Sequence, residues 1–309
     1  MIDLKKRIFI TGATGFVGAS LLHRLISMWA QDVHILIRPG SNMSKISTLL
    51  DRITLHSFSL ENREETLQNI KEIHPQIIYH LAAAGTAVGR MPLGIDDLIQ
   101  MNTLGSIHLI DAAVEIECEC FVNTGSSSEY GQKNAPMSED DIIEPNNLYA
   151  ISKAVVTQYA SFIGKSKNFP IFTYRLFSVY GPLEDPSKLI SILIENYRAW
   201  ISPQLSNPHS VRDFIHIDDV IDCFLEVDSV SKFPGNIINI WTWTQSSISD
   251  VVNVLKELMK SSIDPAYWQE KMNQNEPKHW VADNQKMKTL LHIYPKDLKD
   301  GLSKMVQWL

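Results

Sequence analysis

At 309 residues the chain is long enough to bury a sizeable core, and its 44% hydrophobic and 20% charged residues are those of a soluble globular protein. The formal net charge of −7 and the lack of any Lys/Arg cluster leave no basic footprint for nucleic acid. No apolar run approaches the roughly 18 residues of a membrane span, so neither nucleic acid nor membrane is an expected partner.

Short apolar runs alternate with amphipathic ones through the first half. Arg7–Thr11 reads as a strand entered almost at once, with no secretory signal before it. A glycine-rich stretch follows, then Val17, Leu21, Leu25 and Met28 at helical spacing. Strands are predicted at Val33–Ile37, Ile53–Phe58, Ile77–Leu81, Phe121–Thr124 and Ile171–Leu176. Helices are predicted around Arg63–Ile73, Ile95–Val114 and Tyr149–Ile163, the last with Ile151, Val155, Tyr159 and Phe162 facing inward. Such alternation predicts an α/β fold, a Rossmann-like doubly wound parallel sheet covered on both faces.

The pattern loosens after Tyr180-Gly181-Pro182. Helices are expected around Ser187–Trp200, Asp218–Val227 and Ser249–Lys260, with short strands near Phe214–Ile217 and Asn236–Ile240. Ser261 to Trp280 is polar and poorly periodic. Residues 1–177 are therefore expected to form a dinucleotide-binding domain and 178–309 mainly a smaller substrate-binding one, with about 213–242 partly returning to the first. Three cysteines, Cys118, Cys120 and Cys223, make neither a disulfide framework nor a metal set. Cys118 and Cys120 could be half of a metal site, but no second pair of ligands accompanies them. A reducing, cytoplasmic setting fits this usage.

Three stretches carry chemistry. Gly12-Ala13-Thr14-Gly15-Phe16-Val17-Gly18 lies between the first strand and the first helix, where glycines allow a tight turn and free N–H groups face a pyrophosphate. At the end of the second strand, Ile37-Arg38-Pro39-Gly40-Ser41 stands where an NAD enzyme usually has Asp or Glu for the ribose hydroxyl. A guanidinium suits a 2′-phosphate and Ser41 could add a hydrogen bond, so NADP is expected, with NAD open. Tyr149 and Lys153 lie one helical turn apart on one face, after a turn, Pro145-Asn146-Asn147-Leu148, that offers an asparagine as a candidate cap. A nearby ammonium favours the phenolate, which suits acid–base work at a carbinol or carbonyl carbon.

With these motifs the chain resembles the extended short-chain dehydrogenase/reductase family, in its nucleotide-sugar epimerase, dehydratase and reductase group. The resemblance covers nearly the whole chain. It rests on Gly12–Gly18, His80-Leu81-Ala82-Ala83, Asn102 with Gly105, Ser126 to Gly131, Tyr149 with Lys153, Arg175 to Pro182, Arg212-Asp213-Phe214, and the tail Asp283…Gly301-Leu302…Trp308.

The resemblance implies that Tyr149 donates or accepts the proton, Lys153 holds the nicotinamide ribose and lowers the tyrosine pKa, and Ser126 hydrogen-bonds the reacting oxygen. Leu81, Ala82 and Ala83 would lie against the cofactor, and Asn102 would be a structural or cofactor-side group. Arg212 would pair with the substrate diphosphate, against the alternative of a structural ion pair. Ser127 and Ser178 would stand on the substrate side.

There are departures from the family pattern. Ser127 and Ser128 occupy positions where 4,6-dehydratases tend to carry an acidic pair, and Glu129 comes one residue late and, if strand-like, faces the other way. Ser178 stands where many relatives have Asn, and Ser59 where an Asp often meets adenine. Trp241 and Trp243 replace small residues, and are read as packing or as a wall of the substrate pocket.

The run Thr124 to Gly131 looks somewhat like the CDP-abequose and CDP-paratose synthase branch. The expected activity is NADPH-dependent reduction of a nucleotide-linked 4-keto-6-deoxy sugar, in carbohydrate biosynthesis. A 4-epimerase, a 4,6-dehydratase and a non-catalytic NADP-binding sensor are the alternatives, in that order. Family members commonly dimerise through the helix that carries this tyrosine, so a homodimer is expected by resemblance.

Overall fold

The computed structural model describes residues 2–85, 94–205, 207–267, 280–282 and 285–308. Most of the Gly85–Leu93 loop, residues 268–279 of the polar stretch and Asp283 of the tail motif lie outside the described residues. Two compact units are present. The first comprises Met1–Gly131, Ile143–Arg175 and Ile221–Ile238; the second comprises Gln132–Ile142, Leu176–Val220 and Asn239–Leu309.

The chain opens with β1 (Arg7–Thr11), α1 (Phe16–Ser27), β2 (Asp32–Leu36), β3 (Thr54–His56), α2 (Arg63–Ile73) and β4 (Ile77–His80). Next come α3 (Ile95–Leu98), a π-helical stretch Ile99–Leu104, α4 (Gly105–Glu115) and β5 (Cys120–Ser126). A short 3-10 turn, Ser127–Tyr130, precedes α5 (Leu148–Lys167) and β6 (Ile171–Leu176). The remainder holds β7 (Ser178–Tyr180), α6 (Leu189–Arg198), β8 (Gln204–Leu205), β9 (Val211–His216), α7 (Ile217–Leu225) and α8 (Val227–Val230). It ends with β10 (Ile237–Ile240), β11 (Gln245–Ser247), α9 (Ile248–Met259), β12 (Ala266–Tyr267) and α10 (Leu298–Trp308).

Seven strands form one sheet in the order β10-β6-β5-β4-β1-β2-β3, with β1 paired in parallel to both β2 and β4. Ile8, Phe9 and Ile10 of β1 are all fully buried, as expected where helices cover both faces. One core cluster joins Phe9, Ile78, Phe121 and Ile171 from the strands to Ile70, Leu109, Ile110, Val156 and Ala160 from the helices. Order reverses at β1, so the loops after β1 and β4 diverge at its carboxyl end, the usual ligand crevice of an open α/β sheet.

In the second unit β11, β9 and β7 form a three-stranded sheet. Leu193, Ile194, Leu255, Leu302 and Met305 pack a separate core. No described helix is long and apolar enough to cross a membrane.

Helix α5 differs from expectation in the face it buries. Ala150, Lys153, Ala154, Val156, Thr157 and Ala160 turn inward, whereas Leu148, Ile151, Val155 and Phe162 are exposed. Small and polar residues let the helix lie close to its sheet, and Lys153 must face inward to reach the site. The bulky apolar residues are left on the outer side.

Candidate functional site at the carboxyl end of the first sheet

The glycine turn is shaped by close approach. Gly12 sits at φ +73°, and a Cβ there would lie 2.6 Å from the Ala82 amide nitrogen. A Cβ on Gly18 would lie 2.2 Å from the Gly12 carbonyl oxygen, so α1 can seat on the turn only with glycine there. Gly15 caps α1 without a side-chain bond, and the first turn carries no acidic residue. The amides of Phe16, Val17 and Gly18 therefore point outward with the positive end of the helix dipole, a donor set that fits a pyrophosphate. Thr14 is half-buried beside them.

At the end of β2, a turn closes from the Ser41 amide to the Arg38 carbonyl (3.0 Å) and from the Arg38 amide to Ser41 Oγ (3.1 Å). Gly40 takes φ +76° at its tip, and Arg38 is exposed. The Ser41 hydroxyl thus accepts within the turn as well as offering its proton outward.

Leu81, Ala82 and Ala83 leave β4 against the glycine turn. The Leu81 amide donates to the Thr11 carbonyl and the Ala82 amide to Thr11 Oγ1, both at 3.2 Å. His80 is held between Thr11 Oγ1 and Ser106 Oγ at 2.7 Å each. Burial, with the Lys153 charge second, pushes its pKa down to about 3, so the imidazole is neutral.

Asn102 belongs to the scaffold. Its Oδ1 accepts from the Ala84 amide (2.7 Å), and its Nδ2 donates to the Ala84 carbonyl and to Ser152 Oγ (both 3.1 Å). It pins the segment after β4 to α5. Asn102→Ala strands the buried Ser152 hydroxyl and the half-buried Ala84 backbone and is expected to cost about 1–3 kcal/mol, read by urea unfolding. Dinucleotide affinity should fall much less; a large affinity loss at unchanged stability would instead make Asn102 a cofactor contact.

Tyr149 and Lys153 are presented by the first turns of α5, where Asn147 Oδ1 accepts from the Ala150 amide (2.9 Å). Ser126, the last residue of β5, stands near enough to the Tyr149 phenol to favour its ionised form. A Cβ on Gly85 would lie 3.8 Å from the Tyr149 ring, which places that glycine beside the phenol. The three expected reacting residues, Tyr149, Lys153 and Ser126, are thus brought together in one unit.

The electrostatics differ from the sequence reading. Burial, then the charge of Glu129, push the Tyr149 pKa up to about 12, with Ser126 opposing them. Lys153 is itself brought down to about 8 by burial, opposed by Glu129. Desolvation is the largest influence on both groups.

Glu129 does not continue the strand. The chain turns at Ser127, which is buried, and Glu129 folds back beneath the turn. Its Oε1 accepts from the Ser126 amide (2.8 Å) and Thr157 Oγ1 (3.0 Å), and its Oε2 from Arg175 Nε (2.9 Å). Sequence reasoning missed this network. An Arg inside the apolar run Ile171–Leu176, with a Glu after another buried strand, was the available signal.

Ser178 and Arg212 belong to the second unit. Ser178 begins β7 and is half-buried. The Arg212 guanidinium lies over the Trp280 ring (5.9 Å) and donates to the Val211 carbonyl (2.7 Å). Trp241 and Trp280 both pack near Phe177 (6.0 and 6.4 Å), and Lys288 stands 4.0 Å over Trp243. Asp213 is fully buried; it accepts from the Thr242 amide and hydroxyl and the Trp243 amide at 2.9–3.0 Å, fixing that aromatic turn.

Residues 8–240 match the model of the NAD dependent epimerase/dehydratase family. The chain belongs to that family. It is an enzyme of the extended short-chain dehydrogenase/reductase type, in the nucleotide-sugar epimerase/dehydratase group with its NAD(P)-binding Rossmann fold. An uncharacterized UDP-glucose epimerase of Bacillus subtilis is 25% identical, over 98% of both chains. CDP-abequose synthase of Salmonella muenchen is 25% identical, over 85% of this chain and 84% of its own. The structure of UDP-glucuronic acid 4-epimerase from Bacillus cereus, in complex with UDP-glucuronic acid and NAD, superposes with a TM-score of 0.84. That protein is 26% identical, with 98% of each chain covered.

Proposed function

We propose that the protein reduces a nucleotide-linked 4-keto-6-deoxy sugar with NADPH. The observation that carries the choice is the end of β2, where exposed Arg38 and the Ser41 turn stand in place of a ribose-binding carboxylate. Gly12–Gly18 would hold the pyrophosphate, Arg38 and Ser41 the 2′-phosphate, and Leu81, Ala82 and Ala83 the face of the dinucleotide. Lys153 would hold the nicotinamide ribose. NADPH, when bound, supplies the hydride.

Tyr149 gives its phenolic proton to the oxygen of the carbonyl being reduced, and Ser126 orients that oxygen. A phenol that burial keeps protonated suits a proton donor. Arg212, backed by Trp280, would take the substrate diphosphate, with Ser178 and Ser127 near the sugar nucleotide. Likeness to a CDP-abequose synthase supports this reading. Dehydration is disfavoured because Ser127 and Ser128 lack acid–base range, and Glu129 is committed to Arg175.

Nucleotide-sugar 4-epimerisation with NAD is the second reading, favoured by the epimerase relative and the NAD-containing epimerase structure. Mass spectrometry of co-purifying dinucleotide separates the two. Reduction predicts little retained cofactor, or NADP(H), whereas stoichiometric, tightly held NAD would favour epimerisation.

The working form is proposed to be a cytoplasmic homodimer joined through α5. Leu148, Ile151, Val155 and Phe162 recur at helical spacing on its exposed side. Ile151→Glu with Val155→Glu should convert a dimer to a monomer in sedimentation velocity; an unchanged dimer would place the interface elsewhere.

A further inference from the structure

The second unit holds a bulky residue where the backbone favours glycine. Trp243 takes φ +81°, in the left-handed region that strains a large side chain. Buried Asp213 holds the turn there, accepting from the Trp243 amide at 3.0 Å and from the Thr242 amide and hydroxyl at 2.9 and 3.0 Å. Hydrogen bonding does not account for a tryptophan, since its indole N–H is buried with no acceptor among the described residues. What the ring does meet is a cation. Lys288 Nζ stands 4.0 Å from the ring centre. Lys288 is half-buried in the π-helical turn Met287–Leu291, an uncommon geometry frequent at functional sites. Its neighbours in sequence Lys286 and Lys296 pair with Asp140 and Asp219. Among the described residues no carboxylate pairs with Lys288, and an aromatic face attracts its charge without cancelling it.

We propose that Lys288, seated on Trp243, is a second cation for the diphosphate of a nucleotide sugar, alongside Arg212. This rests on reading the substrate as a nucleotide sugar with Arg212 on its diphosphate, and not on the direction of the reaction. The two cations share one neighbourhood. Arg212 directly precedes Asp213, whose carboxylate holds the Trp243 amide, and Arg212 stands opposite Ser246 in the β9–β11 pairing. The next residue, Gln245, accepts through Oε1 from the Trp280 amide at 2.9 Å, and the Arg212 guanidinium lies over that indole. Each cation is thus backed by a tryptophan ring. Two such charges suit two phosphates, a guanidinium forking on one and an ammonium acting as a point charge on the other. With a small residue at position 243 the long Lys288 stem would swing freely, and ordering it would cost binding free energy. Trp243 is accordingly a positioning residue for Lys288.

Isothermal titration calorimetry with UDP, CDP, dTDP, GDP and ADP reads this site without turnover. Lys288→Met keeps an apolar stem over the ring and removes only the charge. It is expected to weaken the diphosphate that the unmodified protein binds by about tenfold. Lys288→Arg should restore most of that affinity. Trp243→Leu should weaken binding in the same direction, and Trp243→Phe, which keeps a ring, should retain it. Affinities for NADP and NAD should stay as they were. Unchanged diphosphate affinity in Lys288→Met would overturn the proposal. So would an equal loss of dinucleotide affinity, which would place the lysine on the cofactor. Arg212→Ala in parallel separates two failures. A loss there with none in Lys288→Met refutes the second cation alone, whereas a protein that binds none of the five diphosphates refutes the nucleotide-sugar reading with it.

Discussion

Tyr149→Phe is expected to lower turnover by about 10²–10⁴-fold, the range for removal of a positioned general acid. Only the phenolic oxygen is lost. The ring keeps its place beside Gly85, Asn147 still caps the helix, and Lys153 remains buried one turn away. Dinucleotide affinity, measured by fluorescence titration, should therefore change little. The loss should appear in kcat and kcat/KM together, because the proton is needed in the transition state and not for binding. Turnover close to that of the unmodified protein would remove Tyr149 from the reaction.

The second large effect is expected at the adenosine end. Arg38→Ala should weaken NADP binding by about 10–100-fold, since a charge-assisted pair with a phosphate is among the stronger polar contacts. NAD binding, which offers no 2′-phosphate, should be nearly unaffected. Because Arg38 is exposed, the preference of the unmodified protein for NADP should shrink as salt rises. Equal losses for both dinucleotides would show that Arg38 supports the turn and not the phosphate.

Local features of the site were legible because their physics is local. A glycine turn between strand and helix, a capping asparagine just before α5, and a Tyr–Lys spacing of four each depend on backbone geometry within one or two turns. The parallel sheet was legible for a similar reason, as its strands are short, apolar on both faces and separated by amphipathic helices.

What failed needed contacts distant in sequence. The parity of a strand does not apply to Glu129, because the chain leaves β5 at Ser127 and enters a 3-10 turn. Its partner Arg175 lies 46 residues away. Asn102 could not be assigned between scaffold and cofactor until its bonds to Ala84 and Ser152, 18 and 50 residues away, were known. Hydrophobic periodicity placed the apolar stripe of α5 inward, but periodicity cannot tell a core from an outer apolar face. The pKa of Tyr149 followed burial, which no spacing reports.

The proposed reduction is tested most directly by mixing the protein with NADPH and a panel of nucleotide-linked 4-keto-6-deoxy sugars. Oxidation of one NADPH for each sugar reduced, with at least one member of the panel, is the predicted result. No NADPH oxidation with any of them, alongside interconversion of 4-epimeric sugar nucleotides without added cofactor, would contradict it.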